Sequence, residues 1–307
     1  MKTDFFEFSS KGKKLSAILC LPKGEPISVL QITHGMTEHI GRYETFAEEM
    51  TTHGIAVCGF DLRGHGKTSD HKEIASFGEN GWEESLNDIH EFQKEMKARI
   101  PNVPYFMMGF SLGSFLIREY LSLYPGDADG AVIIGTGYQP GAVLSIMKAI
   151  VKKECEKAGF DHTTALVKKL SFETYNQKFK PNKTESDWLC SDEDELLAYI
   201  NDPLCRKYIS AGLFWQLLDS MKRTGKRDFA SSWKKDIPVL LLSGENDPVG
   251  NNGKGVKIIH RQLQKCGMTD VTMRLFPNAR HDLLHEKKNG NADEATKVLL
   301  HWIKNHQ

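Results

Sequence analysis

A serine between two glycines stands where an apolar run gives way to a segment of helical character. The five residues are Gly109-Phe110-Ser111-Leu112-Gly113, with the apolar run at 103–108 and the helical one at 115–123. A serine on so sharp a strand-to-helix turn needs flanking residues without side chains, and its hydroxyl then stands clear of the sheet. The amides that open the helix point at the same spot and can stabilise negative charge. This pattern favours Ser111 as a nucleophile.

A serine hydroxyl needs a base, usually a histidine that a carboxylate orients. Asp247 follows the apolar run 238–243, and His281 follows the run 271–276. Serine, acid and histidine therefore come in the chain order that a strand–turn–helix serine site requires, with both partners in loops after later strands. We predict Ser111, Asp247 and His281 as the catalytic residues.

Each partner of the serine has a competitor nearby. Glu245 lies two residues before Asp247, but a carboxylate directly before a proline favours Asp247. His285 competes with His281, which is nearer the strand end, and we expect His285 in the first turns of a following helix. The two histidines also have the spacing of a zinc pair, but the zincin motif has glutamate where Asp282 stands, and no third ligand is evident. We predict no metal.

The oxyanion of a tetrahedral intermediate needs two donors, and losing one typically costs about 10²–10³ in rate. The amide of Leu112, directly after the nucleophile, is one candidate. The amide of Met36 is the other, because Gly35 lets the backbone turn toward the site after the apolar run 28–33. We also expect His34, Gly35 and Phe110 to contact the substrate.

Composition narrows the class of protein. The 307 residues contain 40 Lys and Arg against 40 Asp and Glu, so the net charge favours neither nucleic acid nor an anionic membrane as partner. Six scattered cysteines without a CxxC pair are typical of reduced thiols. The first residues do not resemble a secretory signal, and no apolar run reaches the ~18–20 residues of a membrane span. We expect a cytoplasmic enzyme that needs no cofactor and no obligate protein partner.

The order of the segments predicts an α/β fold. A hairpin is expected at 5–21, followed by apolar strands at 28–33, 55–60, 103–108 and 130–134 that alternate with helices at 43–53, 82–100 and 115–123. Continuously apolar strands are covered on both faces, as in a mostly parallel sheet. The loop Asp61–Gly66 is expected to be structural, with Asp61 and Arg63 bound to neighbouring backbone.

The alternation stops at about residue 138 and resumes at 238. Between these points we find helical runs, one of them with Val143, Met147, Ile150 and Val151 on a shared face, and no convincing strand. We therefore predict a core domain made of residues 1–137 and 227–307, and a helical cap inserted at 138–226. The chain closes on a helix at about 292–304.

Several blocks of the sequence, taken in order, resemble the α/β-hydrolase fold and, more narrowly, its monoacylglycerol lipase and lysophospholipase branch. They are His34–His39 with Gly41-Arg42-Tyr43, Asp61–Gly66 with Ser69, the segment 109–113, the segment 244–249, and Ala279–His281 through Glu286. The resemblance implies the same triad, the same two oxyanion amides and a helical cap that admits acyl chains. Thr37 stands where the branch often has glycine, and Phe110 and Ser114 replace the His and Gly of its commoner elbow.

We therefore expect a serine hydrolase that cleaves carboxylic esters of lipid-like or medium-chain acyl groups, with transient contact between the cap and a lipid surface. Amide hydrolysis is the main alternative, because aminopeptidases share the fold and triad. The acidic run 191–195 is the candidate pocket for a substrate amino group, although such a run is usually a solvated face. Thioester hydrolysis and acyl transfer use the same acyl-enzyme. A non-catalytic binding protein on this fold requires a damaged triad.

Overall fold

An eight-stranded, mostly parallel sheet forms the centre of the molecule. The computed structural model describes residues 1–69 and 71–307. The strand order is β1-β2-β4-β3-β6-β7-β9-β10, and β1, β2 and β4 pair antiparallel while all the other pairs are parallel. The bounds of these strands are β1 Lys2–Ser10, β2 Lys13–Leu21, β3 Ser28–Thr33, β4 Ile55–Phe60, β6 Tyr105–Phe110, β7 Gly130–Ile134, β9 Val239–Gly244 and β10 Val271–Phe276.

Two further strands, β5 Ile74–Ala75 and β8 Tyr208–Ile209, pair only with each other. The helices are α1 Glu44–Thr52, α2 Gly81–Arg99, α3 Leu112–Leu123, α4 Gly141–Ala158, α5 Ala165–Lys168, α6 Thr174–Asn176, α7 Glu193–Asn201, α8 Ala211–Thr224, α9 Lys254–Lys265 and α10 Asn291–Lys304. The α/β fold predicted from the segment order is confirmed. No helix of the described residues is long and apolar enough to cross a membrane.

Both faces of the sheet are covered, which explains why its inner strands are apolar throughout. Every residue of β3, β4, β6, β7 and β9 is buried. On β6, Tyr105 and Met107 belong to the hydrophobic cluster that contains α2, α3 and α9, whereas Phe106 and Met108 belong to the cluster that contains α1 and α10. The edge strand β10 differs, since residues 271–275 alternate between half-buried and exposed and only Phe276 is buried.

The carboxyl ends of β3, β6, β9 and β10 lie at one edge of the sheet, because these strands run parallel. Chemistry in open α/β sheets concentrates in the loops at this edge. The four loops that leave it carry Met36, Ser111, Asp247 and His281.

The segment between β7 and β9 adds no strand to the main sheet. It consists of α4 to α8 with their connections, and its only strand is the two-residue β8. The expectation of no strand in this segment is therefore wrong at Tyr208–Ile209, where two backbone pairings to β5 were too short to leave a sequence pattern. The division into core and cap domains stays a prediction.

Candidate active site

Ser111 occupies a strained backbone position between β6 and α3. Its φ of 50° and ψ of −113° are rarely adopted by a residue with a side chain. The two flanking glycines are required by close backbone approach: a Cβ on Gly109 would overlap the carbonyl oxygen of Gly113, and a Cβ on Gly113 would overlap that of Thr33. The amide of Ser111 donates to the carbonyl of Ile134 on β7 at 3.0 Å, which fixes the turn to the sheet.

Ser111, His281 and Asp247 meet at this edge of the sheet. Ser111 Oγ lies 2.8 Å from His281 Nε2, and His281 Nδ1 lies 2.9 Å from Asp247 Oδ1. The second contact has ion-pair distance, but the Nδ1–H bond is not aligned for a hydrogen bond to the carboxylate. Both the histidine and the aspartate are buried, at 1% and 0% exposure. The arrangement can transfer the hydroxyl proton of Ser111 to an imidazole beside a buried carboxylate.

The competing acid and base are placed elsewhere. Glu245 is exposed, whereas Asp247 Oδ1 accepts a 2.8 Å hydrogen bond from the amide of Val249. His285 lies in a single 3₁₀ turn, Leu283–His285, with Nδ1 2.8 Å from Asp282 Oδ1 and Nε2 3.2 Å from the carbonyl oxygen of Arg42. The expected helix at this point is therefore only one turn, and neither competing residue contacts Ser111.

The predicted oxyanion donors lie on the two loops that flank the serine. Leu112 is the first residue of α3, so its amide has no acceptor within the helix. Met36 borders the cavity above Ser111, and within residues 1–69 and 71–307 its amide donates no hydrogen bond. These placements leave both amides available to a ligand.

Of the three residues expected to contact substrate, only Phe110 borders that cavity. Its ring lies 4.9 Å from the His281 ring. His34 is fully buried, its Nε2 accepts from the Leu62 amide at 2.9 Å, and its Nδ1 lies 2.7 Å from the Gly35 carbonyl oxygen. Burial lowers the pKa of His34 to about 3. His34 therefore supports the loop from below, and neither it nor Gly35 lines the cavity, which differs from our expectation.

A buried charge network, which sequence reasoning missed, joins the Met36 loop to the His281 loop. Glu38 accepts hydrogen bonds from the Gly35 amide at 2.6 Å and the Tyr43 hydroxyl at 2.8 Å, and it pairs with Arg42. The guanidinium of Arg42 also donates to Asp282 at 2.8 Å. The available signal was the charged residues inside the resembling block 38–43, but their partner Asp282 is remote in sequence.

The charge state of this network follows from its contacts. Burial alone would raise the pKa of Asp282, but the charges of His285 and Arg42 and the hydrogen bonds from both hold that pKa well below its usual range.

In the loop 61–66, the Asp61 carboxylate accepts hydrogen bonds from the amides of Ile40 and Lys67, as expected. Arg63 differs from expectation, because it binds the carboxylates of α2 instead of backbone, those of Asp88 and Glu84.

The cavity at Ser111 has room for little more than one water molecule. Its volume is about 20 Å³, and a single water needs about 10–15 Å³ on this measure. The loops of the sheet edge form its floor. Its roof comes from the segment between β7 and β9, through Phe172, Trp188, Leu189 and Tyr199.

One cluster in the described residues has metal-ligand chemistry. Ligand atoms of His39, Asp202 and Cys205 lie within 4.8 Å of one another. His39 Nε2 is already 2.8 Å from Asp202 Oδ2, and the positive charge of Arg42 acts on both Asp202 and Cys205, which disfavours a second cation. We assign the cluster as a hydrogen-bonded contact between the inserted segment and the loop after β3.

Comparison with curated proteins finds monoacylglycerol lipases. The monoglyceride lipase of Homo sapiens is 25% identical over 283 residues, which cover 92% of this chain and 82% of that protein. The monoacylglycerol lipase of Mycolicibacterium smegmatis is 23% identical over 297 residues, covering 93% and 91% of the two chains. These relatives match nearly the full length of the chain, including the inserted segment.

Comparison with solved structures confirms the fold. The carboxyl esterase from Bacillus coagulans in complex with glycerol superposes with a TM-score of 0.90 at 24% identity, covering 99% of each chain. A lipase in its open form gives a TM-score of 0.87 at 23% identity, also over 99% of each chain. Residues 24–288, far more than half of the chain, match the family described as serine aminopeptidase, S33. The protein belongs to this family, and the curated relatives that it matches over nearly its full length include monoglyceride and monoacylglycerol lipases.

Proposed function

We propose that this protein hydrolyses carboxylic esters of lipid-like or medium-chain acyl groups, such as monoacylglycerols and lysophospholipids, through an acyl-enzyme on Ser111. The observation that carries the proposal is the contact of Ser111 Oγ with His281 Nε2 at 2.8 Å, backed by the buried Asp247 carboxylate 2.9 Å from Nδ1. The relatives named monoglyceride and monoacylglycerol lipase support the choice of ester.

In the proposed reaction Ser111 Oγ attacks the ester carbonyl while His281 Nε2 accepts its proton. The Asp247 carboxylate orients the ring and stabilises the imidazolium. The amides of Met36 and Leu112 hold the oxyanion. His281 then gives the proton to the alcohol leaving group, and water, deprotonated by the same imidazole, hydrolyses the acyl-enzyme.

Substitution of the nucleophile tests the proposal. Ser111→Ala should abolish both the hydrolysis of p-nitrophenyl esters and labelling by a fluorophosphonate probe, while Ser145→Ala, at a half-buried serine of α4 that does not border the cavity, should change neither. Far-UV circular dichroism checks that both variants fold. Undiminished turnover or labelling in Ser111→Ala would exclude this mechanism.

The surroundings of the cavity favour an acyl ester over an aminoacyl amide. An aminopeptidase needs an acidic group that is free to face the substrate amine, and the run 191–195 does not border the cavity. The two carboxylates that do border it, those of Glu38 and Asp282, are both paired with Arg42. Asp192 caps α7, Glu193 pairs with Lys183, and Glu195 pairs with Lys287 at 2.7 Å. A panel of aminoacyl arylamides against acyl esters of matched size separates the two activities, and faster cleavage of the arylamides would favour the alternative.

Contact with a lipid surface through the inserted segment is part of the proposal. On α4, Val143, Ile146 and Ile150 are 44%, 64% and 38% exposed, and only Val151 of the predicted shared face is buried. Exposed apolar residues three and four positions apart form a stripe on one side of a helix. Ile146→Glu should reduce flotation with neutral phosphatidylcholine vesicles, whereas Ser145→Glu is the matched control.

A cytoplasmic location stays a prediction. All six cysteines lie in the described residues and are free thiols, as reduced thiols would be.

A further inference from the structure

The roof of the Ser111 cavity is also the wall of a second, larger pocket. That pocket has a volume of about 380 Å³ and is bordered by residues of the inserted segment from Lys168 to Tyr208. Phe172, Trp188, Leu189 and Tyr199 border both spaces. Since the inner cavity of about 20 Å³ cannot hold a long acyl chain, part of this shared wall has to move when such a chain binds.

Trp188 is the residue of this wall that touches the predicted base. Its ring lies 5.0 Å from the ring of His281 at an interplanar angle of 31°, and the side chain is only 5% exposed. Phe172 stacks on the same indole, with ring centroids 5.8 Å apart and planes 20° apart. The two aromatic rings therefore close the space above Ser111 from the side of the larger pocket.

The backbone around Trp188 is bound firmly to the His281 loop. Arg280 Nη1 donates to the carbonyl oxygens of Asp187 and Cys190, the latter at 3.1 Å. The amide of Asp282 donates to the Leu189 carbonyl at 2.7 Å. The residues on both sides of His281 thus hold the backbone on both sides of Trp188, so the two segments behave as one unit.

The Trp188 side chain, by contrast, is held only by packing. Within the described residues its indole N–H makes no hydrogen bond, while its backbone amide donates to Asn176 Oδ1 at 3.0 Å. Tyr199 is fixed more strongly, since its hydroxyl lies 2.8 Å from Thr37 Oγ1 and Arg42 lies over its ring. Rotation of the Trp188 side chain therefore breaks no hydrogen bond. Its stacking partner Phe172 lies in a π-helical turn, Lys169–Glu173, and such turns are often found at functional sites.

We propose that Trp188 is a specificity-determining gate. With its ring packed against His281 and Phe172, the Ser111 cavity admits only small acyl groups. When the ring rotates away from His281, that cavity joins the 380 Å³ pocket and longer chains enter. The proposal rests on the proposed function, since it assumes that acyl groups are bound to Ser111. It assigns to one indole side chain the choice between short and long acyl groups.

A ratio of activities tests the gate. In Trp188→Ala, kcat/KM for p-nitrophenyl decanoate relative to p-nitrophenyl acetate should rise by about tenfold or more, because differences of a few methylenes in an apolar pocket are worth that much. Trp188→Phe should keep a ratio near that of the native protein. Trp215→Ala, on α8 against Lys148, borders a different groove and should leave the ratio unchanged.

A ratio in Trp188→Ala equal to that of the native protein, with acetate still hydrolysed, would overturn the gate and leave the ester hydrolase intact. Failure of the proposed function itself would give a different result: the native protein would neither hydrolyse p-nitrophenyl acetate nor react with the fluorophosphonate probe.

Fluorescence gives a second readout, which does not depend on Trp188→Ala folding. Tryptophan emission of the native protein should change when Ser111 reacts with a long-chain fluorophosphonate and not with a methyl one, and Trp188→Phe should lose that change. An equal change with both reagents, or one that survives in Trp188→Phe, would contradict the rotation.

Discussion

The carboxylate of Asp282 accepts a 2.8 Å hydrogen bond from the guanidinium of Arg42, 240 positions away in the chain. Asp282 follows His281 directly, and Arg42 also pairs with Glu38, which holds the Gly35 amide. One arginine thereby fixes the loop of the proposed base against the loop of a proposed oxyanion donor. The relationship has consequences for both stability and catalysis.

Asp282→Asn should remove this ion pair with little change in shape. Breaking a buried pair typically costs about 3–5 kcal/mol, so we expect the free energy of unfolding to fall by roughly that amount at pH 7. Since the folded-state pKa of Asp282 lies below its unfolded value, the stabilisation is present above about pH 4 and is lost as the pH falls further. The difference between native protein and variant in urea unfolding should therefore shrink below pH 4. Asp4→Asn, at an exposed pair with Lys2, serves as control; equal effects of the two substitutions would refute a special role for Asp282.

Gly113→Ala should damage catalysis more than its size suggests. The added Cβ would overlap the backbone carbonyl of Thr33, so β3 and the start of α3 must separate. A displacement near 1 Å at a reacting group can cost about 10²-fold, and we expect a fall of that order in kcat/KM for p-nitrophenyl acetate. Gly141→Ala, where a Cβ meets no atom within 4 Å, should retain full activity. A fully active Gly113→Ala would show that the close approach has no bearing on the nucleophile.

His65 should make the protein sensitive to mild acid. Burial lowers its pKa to about 3, whereas an unfolded histidine titrates near 6.5. The unfolded state therefore binds more protons between these values, and stability is complete above about pH 6.5 and falls as the pH drops toward 3. One such group loses about 2 kcal/mol by pH 5.

The carbonyl oxygen of Arg63 lies 2.8 Å from His65 Nδ1. The variant His65→Asn keeps a donor for this carbonyl, but its side chain cannot titrate. Urea unfolding at pH 7, 6 and 5 should show a shallower loss in this variant than in the native protein. Exposed His301, replaced by Asn, should leave the slope as it is. If His65→Asn and the native protein lose stability in parallel, the buried imidazole is not the cause.

Arg118 of α3 should be the main support of the two ends of the inserted segment. It is 1% exposed and donates to the carbonyls of Gly137, shortly after β7, and Thr224, the last residue of α8. Burial lowers its pKa to about 9, and no carboxylate pairs with it in the described part of the chain. Arg118→Met leaves both carbonyls without this donor, and we expect a loss of about 2–4 kcal/mol in chemical unfolding. Arg223→Met, at a surface pair with Glu119, should cost at most about 1 kcal/mol, and a similar cost at position 118 would argue against the support.

The sequence determined the local features of the site. A serine between glycines at the end of an apolar run predicts its own turn, because the positive φ of Ser111 and the close approach of Gly109 to the Gly113 carbonyl involve residues near one another in the chain. The continuous apolar runs likewise predicted buried parallel strands, and parallel strands place their following loops at one edge. Order along the chain then sufficed to name Asp247 and His281 as candidates; His281 lies beside Ser111, and Asp247 lies beside His281.

Only the tertiary structure decided which remote residues support these three. His34 was expected in the cavity but lies beneath the loop, with both ring nitrogens bonded. Neither the bond from Arg42 to Asp282 nor the packing of the Trp188 ring against His281 leaves a periodic or local signal. Such contacts depend on the order of the strands and on how the inserted segment packs back onto the sheet edge, and no short stretch of the chain encodes that packing by itself.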